Sequence, residues 1–322
     1  MPVDSLPLIS VCMVTYNHEK YIRQAIESVL EQEGEFKLEV VIGEDHSKDG
    51  TRAIIQEYKA EYPEIIRLLN HDKNLGMAQN LITTAYLCRG QYVAFLDGDD
   101  YWCDPQKLQK QLALFQADPD VGLVHSEYHR YFQKSNMLVQ NYHRKKSVNY
   151  ATGYCYNSLI LEDTVMTLTA MAVTKDVHDA LDSVGSMIAG WLMYDYPLWL
   201  HIAMNKKLAY VPEPLGVYRV LAVSASHMND ALKQIRFETN VFEIRCFFMG
   251  LKSVSGELSR KVMNRHHYTM IKVYSQYRGH RTAFLQNFFY FQRTNSSLMT
   301  FLKSLFLFGK KTSAVLKKSI PN

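Results

Sequence analysis

Three carboxylates crowd the end of one apolar run: residues 91–102 read QYVAFLDGDDYW, with Asp97, Asp99 and Asp100 grouped around Gly98. Residues 92–96 are β-formers and read as a buried strand. Like charges repel, so collecting carboxylates where a buried strand ends is unfavourable unless something offsets it. A divalent cation does so, because hard ions such as Mg²⁺ and Mn²⁺ prefer oxygen ligands and share their coordination with substrate phosphates. The competing account of the same residues is a solvated acidic turn, or a helix N-terminus announced by Pro105, where Asp offsets the helix dipole. A calcium EF-hand fits poorly, since no downstream Glu stands at the required spacing.

The elements that must position these carboxylates alternate along the chain. Residues 8–16 (LISVCMVTY) form a near-continuous apolar run of the kind expected for a central parallel strand. Asn17 is the expected N-cap of a helix carrying Tyr21, Ile22, Ala25, Ile26, Val29 and Leu30 at helical spacing, with Gly34 ending it. Residues 38–42 (LEVVI) are a second strand closed by Glu44-Asp45, and residues 65–69 a third, each followed by a turn and an amphipathic helix. Strict alternation implies a parallel, helix-covered sheet, and in such sheets ligands bind beyond the carboxyl ends of the strands. Three of those ends carry polar groups here: Thr15-Tyr16-Asn17, Glu44-Asp45 and Asp97-Gly98-Asp99.

With those residues in view, the first ~125 positions resemble a family 2 glycosyltransferase of GT-A fold, a nucleotide-binding α/β domain with a mostly parallel central sheet. Four blocks carry the resemblance in order: VTYN at 14–17, EDHSKDGT at 44–51, NLGMAQN at 74–80 and FLDGDDYW at 95–102, the last as the DxD motif. The dinucleotide fingerprint G-x-G-x-x-G is absent after the first strand, which argues against an NAD enzyme. The resemblance implies that Thr15, Tyr16 and Asn17 line the nucleotide pocket and that Asp45 accepts a hydrogen bond from the base, with uracil expected. It implies that Asp97 faces ribose and metal, that Asp99 binds the metal across Gly98, and that Asn74, Gly76, Gln79 and Asn80 shape the wall beside the nucleotide. Gln79 departs from the Arg often found there, which puts a direct phosphate contact from this block in doubt.

The second half of the chain holds one further informative stretch, residues 191–203 (WLMYDYPLWLHIA). An acceptor hydroxyl must lose its proton as it attacks, so one carboxylate is wanted as base. The resemblance assigns that role to Asp195; Tyr194 stands where the family usually has an acidic neighbour. The competing account is an Asp capping a helix over a core of Trp191, Leu198 and Trp199. Residues 211–227 resemble the family's closing strand: Tyr218-Arg219 match and Leu221 occupies the usual His position, while His227, six residues further, reads first as a surface histidine and only second as a substitute. Arg219 is the expected diphosphate contact, with an ordinary ion pair as rival. Residues 133–150 read as a polar, basic loop, and residues 163–173 (DTVMTLTAMAV) as a strand.

From about residue 229 the pattern turns helical, so the expected organisation is a catalytic domain over 1–228 and a helical C-terminal region over 229–322. The last segment mixes Phe and Leu with Lys303, Lys310, Lys311, Lys317 and Lys318. It fits a peripheral membrane contact through an interfacial helix pair, and equally a docked helix with a basic tail. With 47% hydrophobic and 21% charged residues the chain reads as globular, and its net charge of +4 gives no ground for expecting nucleic acid as a partner. Five cysteines without a CxxC pair support neither a zinc site nor a disulfide framework. No leader or membrane span is evident, so the expected place is the cytoplasm, at most against the inner face of the membrane.

The expected function is inverting transfer of a sugar from a nucleotide-sugar donor, a UDP-sugar by preference, to a saccharide or lipid-linked saccharide. Mn²⁺ or Mg²⁺ sits on Asp97 and Asp99, and Asp195 is the base. A nucleotidyltransferase is the rival enzyme, although VTYNHEKY lacks a Gly-rich, Lys-containing phosphate loop; a non-catalytic nucleotide-binding scaffold is the rival of another class.

Overall fold

The structure is a computed structural model that describes residues 6–146, 150–161, 165–221 and 231–276. The chain separates into two compact units, Met1–Ala222 and Val223–Asn322.

The first unit opens with four parallel strands, β1 (Leu8–Thr15), β2 (Lys37–Glu44), β3 (Ile66–Asn70) and β4 (Tyr92–Asp97), joined by helices α1 (Ile22–Leu30), α2 (Thr51–Glu61) and α3 (Met77–Tyr86). Nearly all of β1 and the middle of β4 are buried, as their unbroken apolar runs require of strands covered on both faces. The covering helices show the complementary pattern: α1 buries Ile22, Ala25, Ile26 and Val29, one stripe at helical spacing.

Beyond the carboxylates come β5 (Tyr101–Trp102), α4 (Lys107–Ala117), β6 (Val121–Phe132), β7 (Met137–Val139), α5 (Tyr142–Lys146) and α6 (Tyr156–Leu161). A one-turn 3-10 helix (Thr167–Thr169), β8 (Met171–Val173), α7 (Thr174–Ile188), α8 (Tyr196–Ala203) and β9 (Lys207–Val220) complete the unit. Among the described residues the strands form a single sheet in the order β3-β2-β1-β4-β8-β6-β9-β5, with β7 paired to β6. β8 runs antiparallel to both β4 and β6, while β6 and β9 run parallel. The ends of β1, β2, β4, β6 and β9 therefore share one edge.

Three sequence expectations are corrected. Asn17 does not cap α1: it adopts the left-handed region at φ 56°, and the cap is Tyr21. Among the described residues of the stretch 163–173, only Met171–Val173 is a strand. Ahead of it, the Thr169 hydroxyl donates to the Met166 carbonyl at 2.8 Å, a local side-chain bond that competes with extended pairing. The basic stretch 133–150 is not featureless either, since β7 pairs with β6 and the buried Glu127 carboxylate accepts from the amides of His143 and Arg144, each at 2.9 Å. Glu127 thereby caps α5 from sixteen residues away, which no local pattern announces.

His125, fully buried on β6, lies with Nε2 2.7 Å from the Ala151 carbonyl, while Nδ1 has no partner. Burial, aided by the nearby His143 ring, pushes its pKa down from 6.5 to about 4. The unfolded chain takes up this proton first, so the stability contribution is present above pH 6.5 and is lost as pH falls toward about 4. The expected loss across that window is ~3 kcal/mol. Denaturant unfolding of His125→Gln, compared with wild type at pH 7 and pH 4.5, should show a shallower decline; an unchanged slope would refute the assignment.

In the second unit α9 (Ala231–Leu251) and α10 (Gly256–Gln276) bury Ile244, Phe248, Val262 and Ile271, and Phe242 stacks on His266 at 3.9 Å. No helix among the described residues is long and apolar enough to cross a membrane. The expected membrane-contacting segment and His227 lie outside the described residues.

Candidate active site

The turn after β4 is built tightly. The Gly98 amide donates to the Val14 carbonyl at 2.9 Å, and a Cβ at Gly98 would stand 2.6 Å from Thr15 Oγ1 and 2.8 Å from Thr15 Cβ. Only glycine lets the turn lie against the end of β1. Asp97 and Asp99 flank it. The Asp97 carboxyl is pushed up to about 8, first by burial and then by the charge of Asp99. No lysine or arginine pairs with Asp97 among the described residues; its one side-chain donor is the Tyr194 hydroxyl, at 3.1 and 3.2 Å from its two oxygens. His18 lies beside Asp99, Nε2 to Oδ2 4.0 Å, with its other ring nitrogen 3.2 Å from Thr15 Oγ1.

The third carboxylate points elsewhere. Asp100 is buried and accepts from the Arg219 amide at 2.7 Å; burial first, then the charges of Asp99 and Asp97, hold its carboxyl well above the usual range. Arg219, expected on the diphosphate, is itself buried and spends its guanidinium inside the fold. Nε donates to the Asp99 carbonyl at 2.7 Å, Nη2 to Gln24 at 2.7 Å and Nη1 to Gln133 at 3.2 Å, and the group lies against the rings of Tyr21 and Tyr101. It pins the DxD turn to the end of β9. Lysine carries one nitrogen and cannot span these three acceptors. Arg219→Lys should therefore lower unfolding stability by about 2 kcal/mol or more, read by denaturant titration. Wild-type stability in that variant would deny the clamp.

On the neighbouring strand ends, Thr15 is buried and Tyr16 is 38% exposed, leaving its ring free to meet a ligand. Asn17 bridges the first two loops: its amide donates to Ser47 Oγ at 2.9 Å and its Oδ1 accepts from the Lys48 amide at 2.8 Å. Asp45 is 2% exposed, and both its oxygens accept backbone amides, Leu75 at 2.7 Å and Gly76 at 2.9 Å. Its immediate task is thus to hold the 74–76 turn, in which Asn74 donates to the Asp45 carbonyl and Gly76 takes φ 82°. Asn80 is buried and engaged by the Gly43 carbonyl at 2.9 Å and by His71 Nε2 at 2.9 Å, so it supports the wall from behind. Gln79 is half-buried at the start of α3.

Asp195 caps α8, with Oδ1 accepting from the Tyr196 amide at 2.8 Å and Oδ2 from the Thr167 hydroxyl at 2.6 Å. Burial raises its pKa, and these two donors pull it part of the way back. The buried Trp199 indole N–H, without a hydrogen-bond partner of its own, adds a weaker pull. Capping and a chemical role are compatible, because each carboxylate oxygen has a second lone pair.

The fold thus brings together Thr15, Tyr16, Asn17, Asp45, Asn74, Gly76, Gly98, Asp97, Asp99 and, through Tyr194, Asp195. It takes Asn80 and Arg219 out of the ligand-facing set and makes them supports. Sequence reasoning missed His18 and Thr167. A histidine directly after VTYN at a strand end was a findable signal; the threonine had none. Among the described residues no group of three or more His, Cys, Asp or Glu is gathered to hold a metal; the two carboxylates Asp97 and Asp99, without a lysine or arginine partner, fit a hard ion such as Mg²⁺ or Mn²⁺ that completes its shell with water and phosphate oxygens.

A mixed sheet whose parallel strand ends gather carboxylates along one edge, covered by helices, defines an α/β domain. Residues 10–179, more than half of the chain, match the model for glycosyl transferase family 2, and the chain belongs to that family. It is 30% identical over 215 residues to the protein Rv1520 of Mycobacterium tuberculosis, an alignment covering 66% of this chain and 58% of that protein. The chain thus spans less than two thirds of the length of that relative. Among solved structures, S. aureus TarS 1-349 in complex with UDP-GlcNAc superposes with a TM-score of 0.64 at 15% identity, over 90% of this chain and 81% of that one. The mannosyltransferase PcManGT from Pyrobaculum calidifontis, in complex with GDP-Man and Mn²⁺, gives 0.61 at 16% identity, over 98% and 82%. These two likenesses bear on the fold.

Proposed function

We propose that the chain transfers a sugar, with inversion, from a nucleotide-sugar donor to a hydroxyl of a saccharide or lipid-linked saccharide. The observation that carries this reading is the link between Tyr194 and Asp97, which sets a half-buried carboxylate with raised pKa beside the DxD pair. Asp97 and Asp99 would hold Mg²⁺ or Mn²⁺, which when bound supplies positive charge against the leaving diphosphate. The acceptor oxygen attacks the anomeric carbon, the bond from that carbon to the phosphate oxygen breaks, and the diphosphate leaves with the electron pair. The acceptor proton passes to Asp195. A carboxyl lifted by burial is a stronger base than one in water, which suits it to this step at neutral pH. No covalent intermediate is required.

On the nucleotide side, Tyr16 is the ring free to stack on a base. The lone pairs that Asp45 has left after binding Leu75 and Gly76 supply the acceptor for uracil N3–H. A UDP-sugar is the donor we assign, a reading supported by the UDP-GlcNAc held by the TarS structure; the GDP-Man of PcManGT marks the alternative.

Calorimetric titration with UDP and GDP, with and without Mn²⁺, tests this. Metal-dependent binding of UDP is expected. Tighter binding of GDP would overturn the uracil assignment, and no binding of either would overturn the donor site.

A further inference from the structure

We infer that Thr167 is a positioning residue for Asp195, and that the 3-10 turn carrying it is hung from the strand directly after the DxD carboxylates. The inference rests on Asp195 being the base, as proposed above.

The two bonds to Asp195 arrive on different oxygens: the Tyr196 amide on Oδ1 and the Thr167 hydroxyl on Oδ2. One bond would leave the carboxyl free to rotate about its own axis, whereas two set its plane. Capping α8 needs only the first of them. A threonine in a tight turn ordinarily spends its hydroxyl on a nearby carbonyl, as Thr169 does on Met166. Thr167 instead reaches across 28 residues to a carboxylate that is still partly open to solvent.

The turn has little freedom to move. Trp102 Nε1 donates to the Leu168 carbonyl at 2.9 Å, and Gln111 Nε2 donates to the Thr169 carbonyl at 2.7 Å. The Leu168 side chain fills the space over Gly216 on β9, where a Cβ would lie 2.6 Å from Leu168 Cδ1. Trp102 stands three residues after Asp99, on β5. The path Asp99, Trp102, Leu168, Thr167, Asp195 therefore joins the leaving-group side of the site to the base through two hydrogen bonds and short stretches of chain. The Tyr194–Asp97 bond closes the same gap from the other side. Transfer requires donor carbon and acceptor oxygen to meet in line, so the separation of base and DxD pair sets how well the attacking oxygen is aimed.

Thr167→Val removes the hydroxyl at nearly constant volume, and Thr167→Ser restores it. UDP-glucose, UDP-galactose, UDP-GlcNAc and GDP-mannose are offered in turn with Mn²⁺ and water as acceptor, and nucleoside diphosphate release is followed on the donor that the wild type turns over fastest. In Thr167→Val, kcat should fall about 10- to 100-fold with donor KM within about twofold of wild type. Thr167→Ser should recover to within about threefold of wild type. Wild-type kcat in Thr167→Val, alongside an inactive Asp195→Asn, would overturn the inference and leave the base in place. Equal losses in Val and Ser variants would also overturn it. Turnover of none of the four donors by the wild type would overturn the reading of the site, and this inference with it.

Discussion

Asp195→Asn should reduce sugar transfer by about 10²- to 10⁴-fold while nucleotide binding stays at the wild-type level. The amide is isosteric and cannot take a proton from the acceptor. Asn caps helices as well as Asp does, so the Tyr196 amide keeps its partner and α8 keeps its start. In the proposed site, donor binding falls to other strand ends. Calorimetry with UDP and Mn²⁺ beside a steady-state assay of diphosphate release separates the two effects. Transfer at the wild-type rate in this variant would remove Asp195 from the chemistry and leave it a helix cap.

The second large effect is expected at Asp99. Asp99→Asn should abolish the Mn²⁺-dependent part of nucleotide binding, weakening UDP in the presence of metal by about 10- to 100-fold or more. The fold should be unaffected, because Arg219 grips the Asp99 carbonyl and not its carboxylate, whose side chain is 21% exposed. Unfolding and binding should therefore separate: Asp99→Asn loses metal at constant stability, while Arg219→Lys loses stability. Metal-dependent UDP binding that survives Asp99→Asn would show that the ion, if bound, is held without this residue.

Much of the fold was open to reading from the chain because β1, the end of β2 and the middle of β4 are buried on both faces. Burial of that kind forces unbroken apolar runs such as 8–15 and 92–96, and the helices between them must show one apolar stripe. The places where strands end are then readable as well, and with them Asp45, Asp97 and Asp99. What escaped was each contact made by one side chain across a long loop of sequence. Glu127 capping α5, Arg219 on the Asp99 carbonyl and Thr167 on Asp195 follow no period, because a single hydrogen bond asks only for one donor at one point in space. Arg219 shows the hazard: its neighbours matched the expected block, yet burial decided which way the guanidinium turned. Asp45 shows the same in milder form, since it does stand at the end of β2 but two backbone amides take both of its oxygens.

The three-residue strand β8 has a bearing on how the molecule is made. The carboxylates are in the chain by residue 100, but β8 ends at residue 173 and β9 at residue 220. During synthesis from the N-terminus, the four parallel strands can assemble early, with the free side of β4 open until Met171–Val173 arrives. An unpaired strand edge invites association with other chains. Contacts of such long sequence separation also form slowly. A nascent chain halted near its midpoint would therefore carry the acidic turn without Arg219, which pins it, or Asp195, and would be prone to aggregate.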